Sequence, residues 1–303
     1  VYKRQTMHSF EWKTLEIVLN EKGLRQHMIS RNGNGSKKTI IELKDIVKTF
    51  PVGDDEITIL HSISLDIQQG EFVSIVGPSG NGKSTLLNMV TGIDRPSGGE
   101  VIVSGRPIHD MSENQLAKWR GQEVGIIFQF FQMLPSLSLL QNVVLPMELA
   151  NKFKRAQRRE RAMDLLDMVG LADEANKLPS MVSGGQQQRA AIARALATDP
   201  ALLIADEPTG NLDAKTAGQV FDLFVHLIEE QGKTMLMVTH DKELADRIPR
   251  KIEIVNGVIA HDSRPQPIET VPAPSNRDIV SDRPSNGLRG LFGRRLVPNS
   301  LSA

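Results

Sequence analysis

Residues Gly77 to Ser84, GPSGNGKS, contain two glycines with four residues between them, followed by a lysine and a hydroxyl. An apolar run, FVSIV, precedes this stretch and TLLNMV follows it, which predicts the order strand, loop, helix. In that order the backbone N–H groups and the helix N-terminus surround a β-phosphate, Lys83 bridges the β- and γ-phosphates, and Ser84 ligates Mg²⁺. The predicted nucleotide-binding residues are Gly77, Pro78, Ser79, Gly80, Asn81, Gly82, Lys83, Ser84 and Thr85.

Two acidic residues and a histidine follow other apolar runs. ALLIA ends at Asp206-Glu207, and TMLMV ends at Thr239-His240. The carboxyl ends of parallel strands meet at one edge of a sheet, so we expect these side chains near the phosphates. Asp206 would hold the metal, Glu207 would polarise the attacking water, and His240 would contact the γ-phosphate.

A second glycine turn stands about a hundred residues later. Ser183-Gly184-Gly185 opens a helix rich in Ala and Arg, and offers free N–H groups, a hydroxyl and a helix dipole to an anion. One phosphate loop binds one nucleotide, so a single chain has no second phosphate for this turn. If two chains meet head to tail, each turn closes over the γ-phosphate of the other chain. The sequence therefore predicts a homodimer with shared sites.

The elements around these motifs indicate an α/β protein. From Ile40 to Ile259 short β-rich runs alternate with helical segments, which predicts a parallel sheet. IIELKDIVKTF and ITILHSISLDI alternate apolar and polar residues and predict an antiparallel layer. A helical subdomain is expected at about residues 130–185, and KIEIVNGVIA predicts a hairpin turning at Asn256-Gly257.

The composition limits the possible partners. The 303 residues include 36 Lys and Arg against 36 Asp and Glu, so no net charge attracts nucleic acid, and none is expected as a partner. Cysteine is absent, which excludes disulfides and thiolate metal sites. No apolar run reaches the 18 or so residues of a membrane span. We expect a cytoplasmic protein whose membrane role is peripheral.

The predicted domain covers residues 39–262. Residues 1–38 are polar and are expected to be an extension outside it, and residues 263–303, rich in Pro, Ser, Arg and Asp, are expected to be a disordered tail. One encoding of the opening VYKRQ resembles a transposon-end adapter used in library preparation. On this hypothesis Val1 to Gln5 is a sequencing artefact and the gene starts at Met7 or Met28.

VSGGQQQR resembles the signature of ATP-binding cassette (ABC) ATPases, and all the motifs stand in that family's order. The resemblance implies a P-loop NTPase fold with a RecA-like parallel core, an antiparallel β layer and an α-helical subdomain. It also implies ATP and Mg²⁺ as cofactors, with ATP read across a dimer. Matched by position, the resemblance implies that Phe50 stacks on adenine, that Gln129 contacts Mg²⁺ and that Gly210 to Asp213 contact the opposite site. It likewise implies that Glu207 is the catalytic base, that His240 is the switch histidine and that Ser183 to Gln186 form the signature.

LLNMVTGIDRPSGGEV, FQMLPSLSLLQNVVLPM and ADEPTGNLD are similar to the ATPases of lipoprotein release and of macrolide or peptide export. That similarity implies a separately encoded membrane permease, with a periplasmic adaptor as a further partner, and a position on the cytoplasmic face of the cell membrane. An alternative is an ATPase that transmits force to cell-division or cell-wall machinery without moving cargo. A soluble cassette of translation or DNA repair usually has two cassettes or a coiled-coil insertion, and a pure nucleotide sensor would not need Asp206, Glu207 and His240.

Overall fold

The computed structural model describes residues 38–264, which form two β-sheets and a group of helices. The strands are β1 Thr39–Val52, β2 Asp55–Gln68, β3 Phe72–Val76, β4 Gly98–Val103, β5 Arg106–Pro107, β6 Val124–Ile127, β7 Leu202–Asp206, β8 Thr234–Val238, β9 Arg250–Val255 and β10 Val258–Asp262. The α-helices are α1 Lys83–Thr91, α2 Glu113–Glu123, α3 Leu139–Leu149, α4 Arg155–Met168, α5 Gly184–Leu196, α6 Ala214–Glu229 and α7 Lys242–Arg247. The predictions for residues 1–37 and 265–303 lie outside the described part.

The larger sheet has the strand order β10-β9-β3-β8-β7-β6. Its inner strands pair in parallel, and only β10 runs antiparallel, against β9. Strands β3, β7 and β8 are short apolar runs that are almost wholly buried, as expected for a sheet covered on both faces. The predicted parallel core is confirmed, and so is the hairpin turn, where Asn256 and Gly257 have φ of 49° and 73°.

The smaller sheet is antiparallel, with the order β2-β1-β4-β5. Strands β1 and β2 alternate buried and more exposed residues along much of their length, because one face covers the core and the other faces water. This sheet is the predicted antiparallel layer, which is confirmed.

Two apolar cores lie on opposite faces of the parallel sheet. Successive residues of a strand point to opposite faces, so Leu203 and Ala205 pack into one core while Leu202 and Ile204 pack into the other. The first core also contains residues of α3, α4, α5 and α6. The second contains residues of the antiparallel sheet, α1 and α2. The carboxyl edge of the sheet is thereby fixed between two packed layers.

Between β6 and β7 the described chain forms helices and no strand. Helix α4 lies within the stretch FKRAQRRERAMDLLDMVGL, whose apolar spacing predicted a helix. Helix α3 begins after Ser138, whose side chain accepts a hydrogen bond from the N–H of Gln141 while the Gln141 side chain accepts one from Ser138 N–H. Among residues 38–264 no helix has the length and hydropathy that crossing a membrane requires.

Candidate active site

The loop between β3 and α1 depends on its glycines. Gly77, Gly80 and Gly82 have φ of 144°, 78° and 91°, which side-chain-bearing residues rarely adopt. A Cβ on Gly77 would lie 2.0 Å from the carbonyl oxygen of Ile254. The N-cap of helix α1 is Gly82, which has no side chain to accept a hydrogen bond, so the first N–H groups of the helix remain available to a phosphate. The sequence prediction of strand, loop and helix is met in this geometry.

Two side chains brace the loop from within. The Lys83 ammonium donates to the carbonyl oxygens of Gly77 and Pro78 at 2.9 and 2.8 Å. The Asn81 amide donates to the carbonyls of Pro78 and Ser79 at 3.2 and 3.1 Å, and its oxygen accepts from the N–H of Asn256. Asn81 thus connects the loop to the β9–β10 turn through its side chain.

Ser84 and Asp206 meet at the start of α1 and the end of β7. The Ser84 hydroxyl donates to the Asp206 carboxylate at 3.4 Å. Burial raises the pKa of Asp206 above its ordinary value, and the nearby Glu207 charge adds to this, while Ser84 and Lys83 oppose it. A cation beside Asp206 would therefore relieve a real electrostatic cost.

These groups fit Mg²⁺. The described residues contain no cluster of three or more His, Cys, Asp or Glu that would form an all-protein metal cage. Mg²⁺ is usually held by one or two protein oxygens together with substrate phosphates and water. A hydroxyl and one carboxylate beside a phosphate loop match that donor set.

Glu207 and His240 form a pair at the carboxyl edge of the sheet. An oxygen of the Glu207 carboxylate lies 2.9 Å from His240 Nδ1. Glu207 has a φ of 47°, and its N–H donates to Val238 O at 2.9 Å, so the end of β8 fixes its unusual backbone. The predicted convergence of these two strand-end residues is seen in the structure.

Gln129 lies beside Glu207. A Cβ on Gly210 would be 3.3 Å from the Gln129 amide nitrogen and 3.5 Å from a Glu207 carboxylate oxygen, so both side chains border the same glycine. The Asn211 amide donates to Gln129 O at 3.1 Å and ties the two loops together. The structure thus places Gln129, Glu207 and His240 in one group.

Phe50 stands near the outer end of β1, and its side chain is exposed. It pairs with Ile57 of β2. Ile59, two residues further along β2, has its carbonyl oxygen 3.1 Å from the position of a Cβ on Gly82. The ring therefore projects from a strand pair that also contacts the phosphate loop.

The second glycine turn has a different construction. Ser183 caps α5: its hydroxyl accepts from the N–H of Gln186 at 3.2 Å, and the Gln186 side chain accepts from Ser183 N–H at 2.9 Å. Among the described residues, a Cβ on Gly184 would meet the ring of Phe131, at an ordinary contact of 3.6 Å. A Cβ on Gly185 would lie 2.8 Å from the Thr216 methyl.

Asp213 neighbours this turn. It caps α6, accepting from the N–H and the hydroxyl of Thr216 at 3.1 and 2.6 Å. These hydrogen bonds lower the pKa of Asp213. Since Thr216 also contacts Gly185, Asp213 and the second turn form one cluster. The predicted residues therefore fall into two groups within one protomer.

Known proteins resemble this chain in sequence and in fold. The model of the ABC transporter family matches residues 60–210. The lipoprotein-releasing system ATP-binding protein LolD 1 of Chlorobium chlorochromatii is 44% identical over 225 residues, which are 74% of this chain and 92% of that protein. This chain belongs to the ABC transporter ATP-binding protein family.

Other relatives of this ABC ATPase extend the comparison. The macrolide export ATP-binding/permease protein MacB of Syntrophobacter fumaroxidans is 43% identical over 242 residues, which are 78% of this chain and 34% of that protein. A dimeric post-hydrolysis structure of the cassette MJ0796 bound to ADP and Pi has a TM-score of 0.70 and 41% identity, covering 74% of this chain and 97% of that one. The P-loop NTPase fold, ATP binding and ATP hydrolysis predicted from the sequence are confirmed by this membership.

Sequence reasoning missed three residues that shape the site of this ABC ATPase. Thr216 links Asp213 to Gly185, and the spacing Asp-x-x-Thr after a turn is a helix-cap pattern that signals such a contact. The half-buried Arg194 donates to Phe131 O at 2.8 Å and so supports the residue whose ring faces Gly184. Lys48 lies beneath the ring of Phe50. No local pattern marks Arg194, because its partner Phe131 is 63 residues away, and the ion-pair partner of Lys48, Asp94, is 46 residues away.

Proposed function

We propose that this ABC ATPase works as an ATP-sandwich homodimer that drives a separately encoded membrane permease. The observation behind this proposal is the division of the predicted residues into two groups. Lys83 and Asp206 are hydrogen-bonded at the phosphate loop and the start of its helix, and Glu207 with His240 follows Asp206, whereas Gly184 and Gly185 neighbour Phe131 and Thr216. A second protomer would supply its cluster to the nucleotide of the first.

Gly184 supports the dimer for an energetic reason. A glycine in a helix is less stable than alanine, and here a Cβ would meet its neighbours at ordinary contact distance. Packing within the described protomer therefore gives no reason for a glycine at this position. Close approach of the backbone to a ligand gives one. In the dimer that ligand is the γ-phosphate held by the partner.

The chemistry follows from the first group. Ser84, Asp206 and Gln129 would hold Mg²⁺, which when bound neutralises phosphate charge. Lys83 is already directed into the loop and binds the phosphate oxygens. Glu207 accepts a proton as water attacks the γ-phosphorus, the bond to the ADP oxygen breaks, and ADP and phosphate leave.

His240 orients that base. Its Nδ1 lies 2.9 Å from Glu207, so a neutral imidazole with its proton on Nδ1 donates to the carboxylate and fixes its direction. The His240 side chain is 63% exposed, so it also reaches the open edge of the site, where a γ-phosphate would lie. Binding and release of ATP would thus be transmitted to Glu207 through one hydrogen bond.

The permease is proposed from the relatives and from the surface. Relatives at 43 and 44% identity are named for lipoprotein release and macrolide export, which supports lipoprotein, peptide or drug-like cargo. Large apolar side chains are exposed along and beside the helices between β6 and β7, namely Phe130, Leu134, Leu149 and Met181. Such a surface suits cytoplasmic helices of a permease. The ATPase would then sit on the cytoplasmic face of the membrane, with any periplasmic adaptor reached through the permease.

The decisive test uses Glu207→Gln. Removing the base should lower the ATPase rate at least about a hundredfold while ATP still binds, so the closed dimer accumulates. Light scattering in saturating Mg-ATP measures the mass. Glu230→Gln, an exposed position at the end of α6, is the matched control and should hydrolyse normally. If the wild-type protein stays monomeric in saturating Mg-ATP and still hydrolyses ATP at its normal rate, the shared-site model is contradicted.

A further inference from the structure

Lys48 is a buried cation on β1. Only 9% of the residue is exposed, and its ammonium donates to Asp94 Oδ1 at 2.7 Å and to Arg95 O at 2.8 Å. The same ammonium lies 4.7 Å from the centroid of the Phe50 ring. Burying a charged amine costs free energy. The presence of one here, with three favourable contacts at its nitrogen, therefore needs an explanation beyond the filling of space.

Asp94 belongs to the far end of the phosphate-loop helix. Helix α1 begins at Lys83 and ends at Thr91, with Gly92 as its C-cap. The N–H of Asp94 donates to Asn88 O at 3.2 Å, so Asp94 is fastened to the last turn of α1. The ion pair between Lys48 and Asp94 therefore joins the helix that starts at the phosphate loop to the strand that bears Phe50.

The Phe50 ring is held from one side. An ammonium within about 6 Å of a ring centroid is attracted to the ring face. Phe50 remains 36% exposed, so the ring retains accessible surface besides the face over Lys48. Its neighbours Pro51 and Val52 are exposed as well and offer it little packing.

We infer that Lys48 and Asp94 are positioning residues for purine binding. They hold Phe50 at a fixed distance from the phosphate loop, so that its free surface meets the base when the phosphates are in the loop. The inference rests on the proposed ATPase function and on the adenine stacking that the family resemblance implies for Phe50. Lys48 does not bind phosphate in this arrangement, because its ammonium is engaged by Asp94 and Arg95.

The test is a double-variant cycle with Mg-ADP, which carries the base and is a product. We expect Lys48→Met to raise the dissociation constant about tenfold, and Phe50→Ala to raise it similarly. The variant with both changes should bind no more weakly than Phe50→Ala alone, because Lys48 acts through the ring. At saturating ATP, kcat should stay unchanged while KM rises.

Matched variants separate positioning from folding. Lys44→Met removes another lysine of β1, one in an exposed ion pair with Glu100 at 3.3 Å, and should leave ADP binding unchanged. Lys48→Arg keeps a cation beneath the ring and should restore most of the affinity. Asp94→Asn weakens the pair from the other side without placing an apolar side chain there, and should weaken binding in the same direction. Thermal melting of each variant checks that it is folded.

Three outcomes overturn the positioning role and leave both the adenine contact and the proposed function standing. Additive losses in the cycle would show that Lys48 contacts the nucleotide directly. A lower kcat with unchanged KM would show a role in the chemical step. Normal binding by Lys48→Met beside weakened binding by Phe50→Ala would remove the positioning role alone. Normal binding by Phe50→Ala would instead remove the adenine contact, and the inference with it.

Discussion

The two glycine turns of this ABC ATPase look alike in sequence and differ in structure. Each stands at the N-terminus of an α-helix. The loop at Gly77 has left-handed glycines, a backbone carbonyl 2.0 Å from a would-be Cβ, and Lys83 bonded inside it. The turn at Ser183 is closed by an ordinary capping box, and Gly184 has room for a side chain. Contacts within the protomer explain the glycines of the first turn. They do not explain why residue 184 of the second turn is a glycine.

The largest effects should distinguish the two turns by whether a single protomer needs the turn to bind nucleotide. Lys83→Ala removes the charge matched to the phosphates and should abolish ADP binding by the protomer, with the ATPase rate falling at least about a hundredfold. Ser183→Ala should leave ADP binding by the protomer intact and impair ATP-dependent dimer formation. Equilibrium dialysis with Mg-ADP and light scattering in Mg-ATP measure the two properties. Equal loss of ADP binding in both variants would erase the distinction.

The same contrast should appear in stability. Gly77→Ala puts a Cβ against Ile254 O and forces a strained φ, so we expect a loss of about 3 kcal/mol or more. Gly184→Ala should gain roughly 0.5 kcal/mol, because alanine restricts the unfolded chain and fits the folded one. Urea unfolding of the nucleotide-free protein measures both. The ATPase rate of Gly184→Ala should nevertheless fall. Full ATPase activity in this variant would contradict the proposal that a glycine is needed there for close approach to the γ-phosphate.

The smallest effect concerns the charge at the first site. The pKa of Asp206 is raised in the folded state, so ionised Asp206 destabilises the nucleotide-free fold once the pH exceeds the unfolded value, 3.8, and increasingly up to the folded pKa. Asp206→Asn should therefore raise Tm by a few degrees at pH 7. This gain in Tm should shrink as the pH falls toward the pKa of an aspartate in the unfolded chain. Asp213 has the opposite effect on stability. Its pKa is lowered in the folded state, so its ionised form stabilises the fold above pH 3.8, and this stabilisation is lost as the pH falls further. Melting of Asp206→Asn and Asp213→Asn from pH 4 to 8 compares the two.

Much of the first group could be predicted from sequence because its residues stand at strand ends. Asp206 and Glu207 follow β7, and His240 follows β8, so parallel pairing alone brings them to one edge. The spacing of GPSGNGKS likewise specifies a loop whose contacts are mostly local. The cap at Asp213 and Thr216 is local too, and its pattern was there to be recognised.

The sequence by itself determined the motifs, their order and the parallel core, because these depend on local spacing and on the period of apolar residues. Only the tertiary structure decided that Asn81 bonds to Asn256, that Lys48 joins Asp94 to Phe50, and that Gly184 has room beside Phe131. These contacts unite positions up to 175 residues apart in the chain. No local propensity encodes them, since they arise only when two layers have packed against the same sheet.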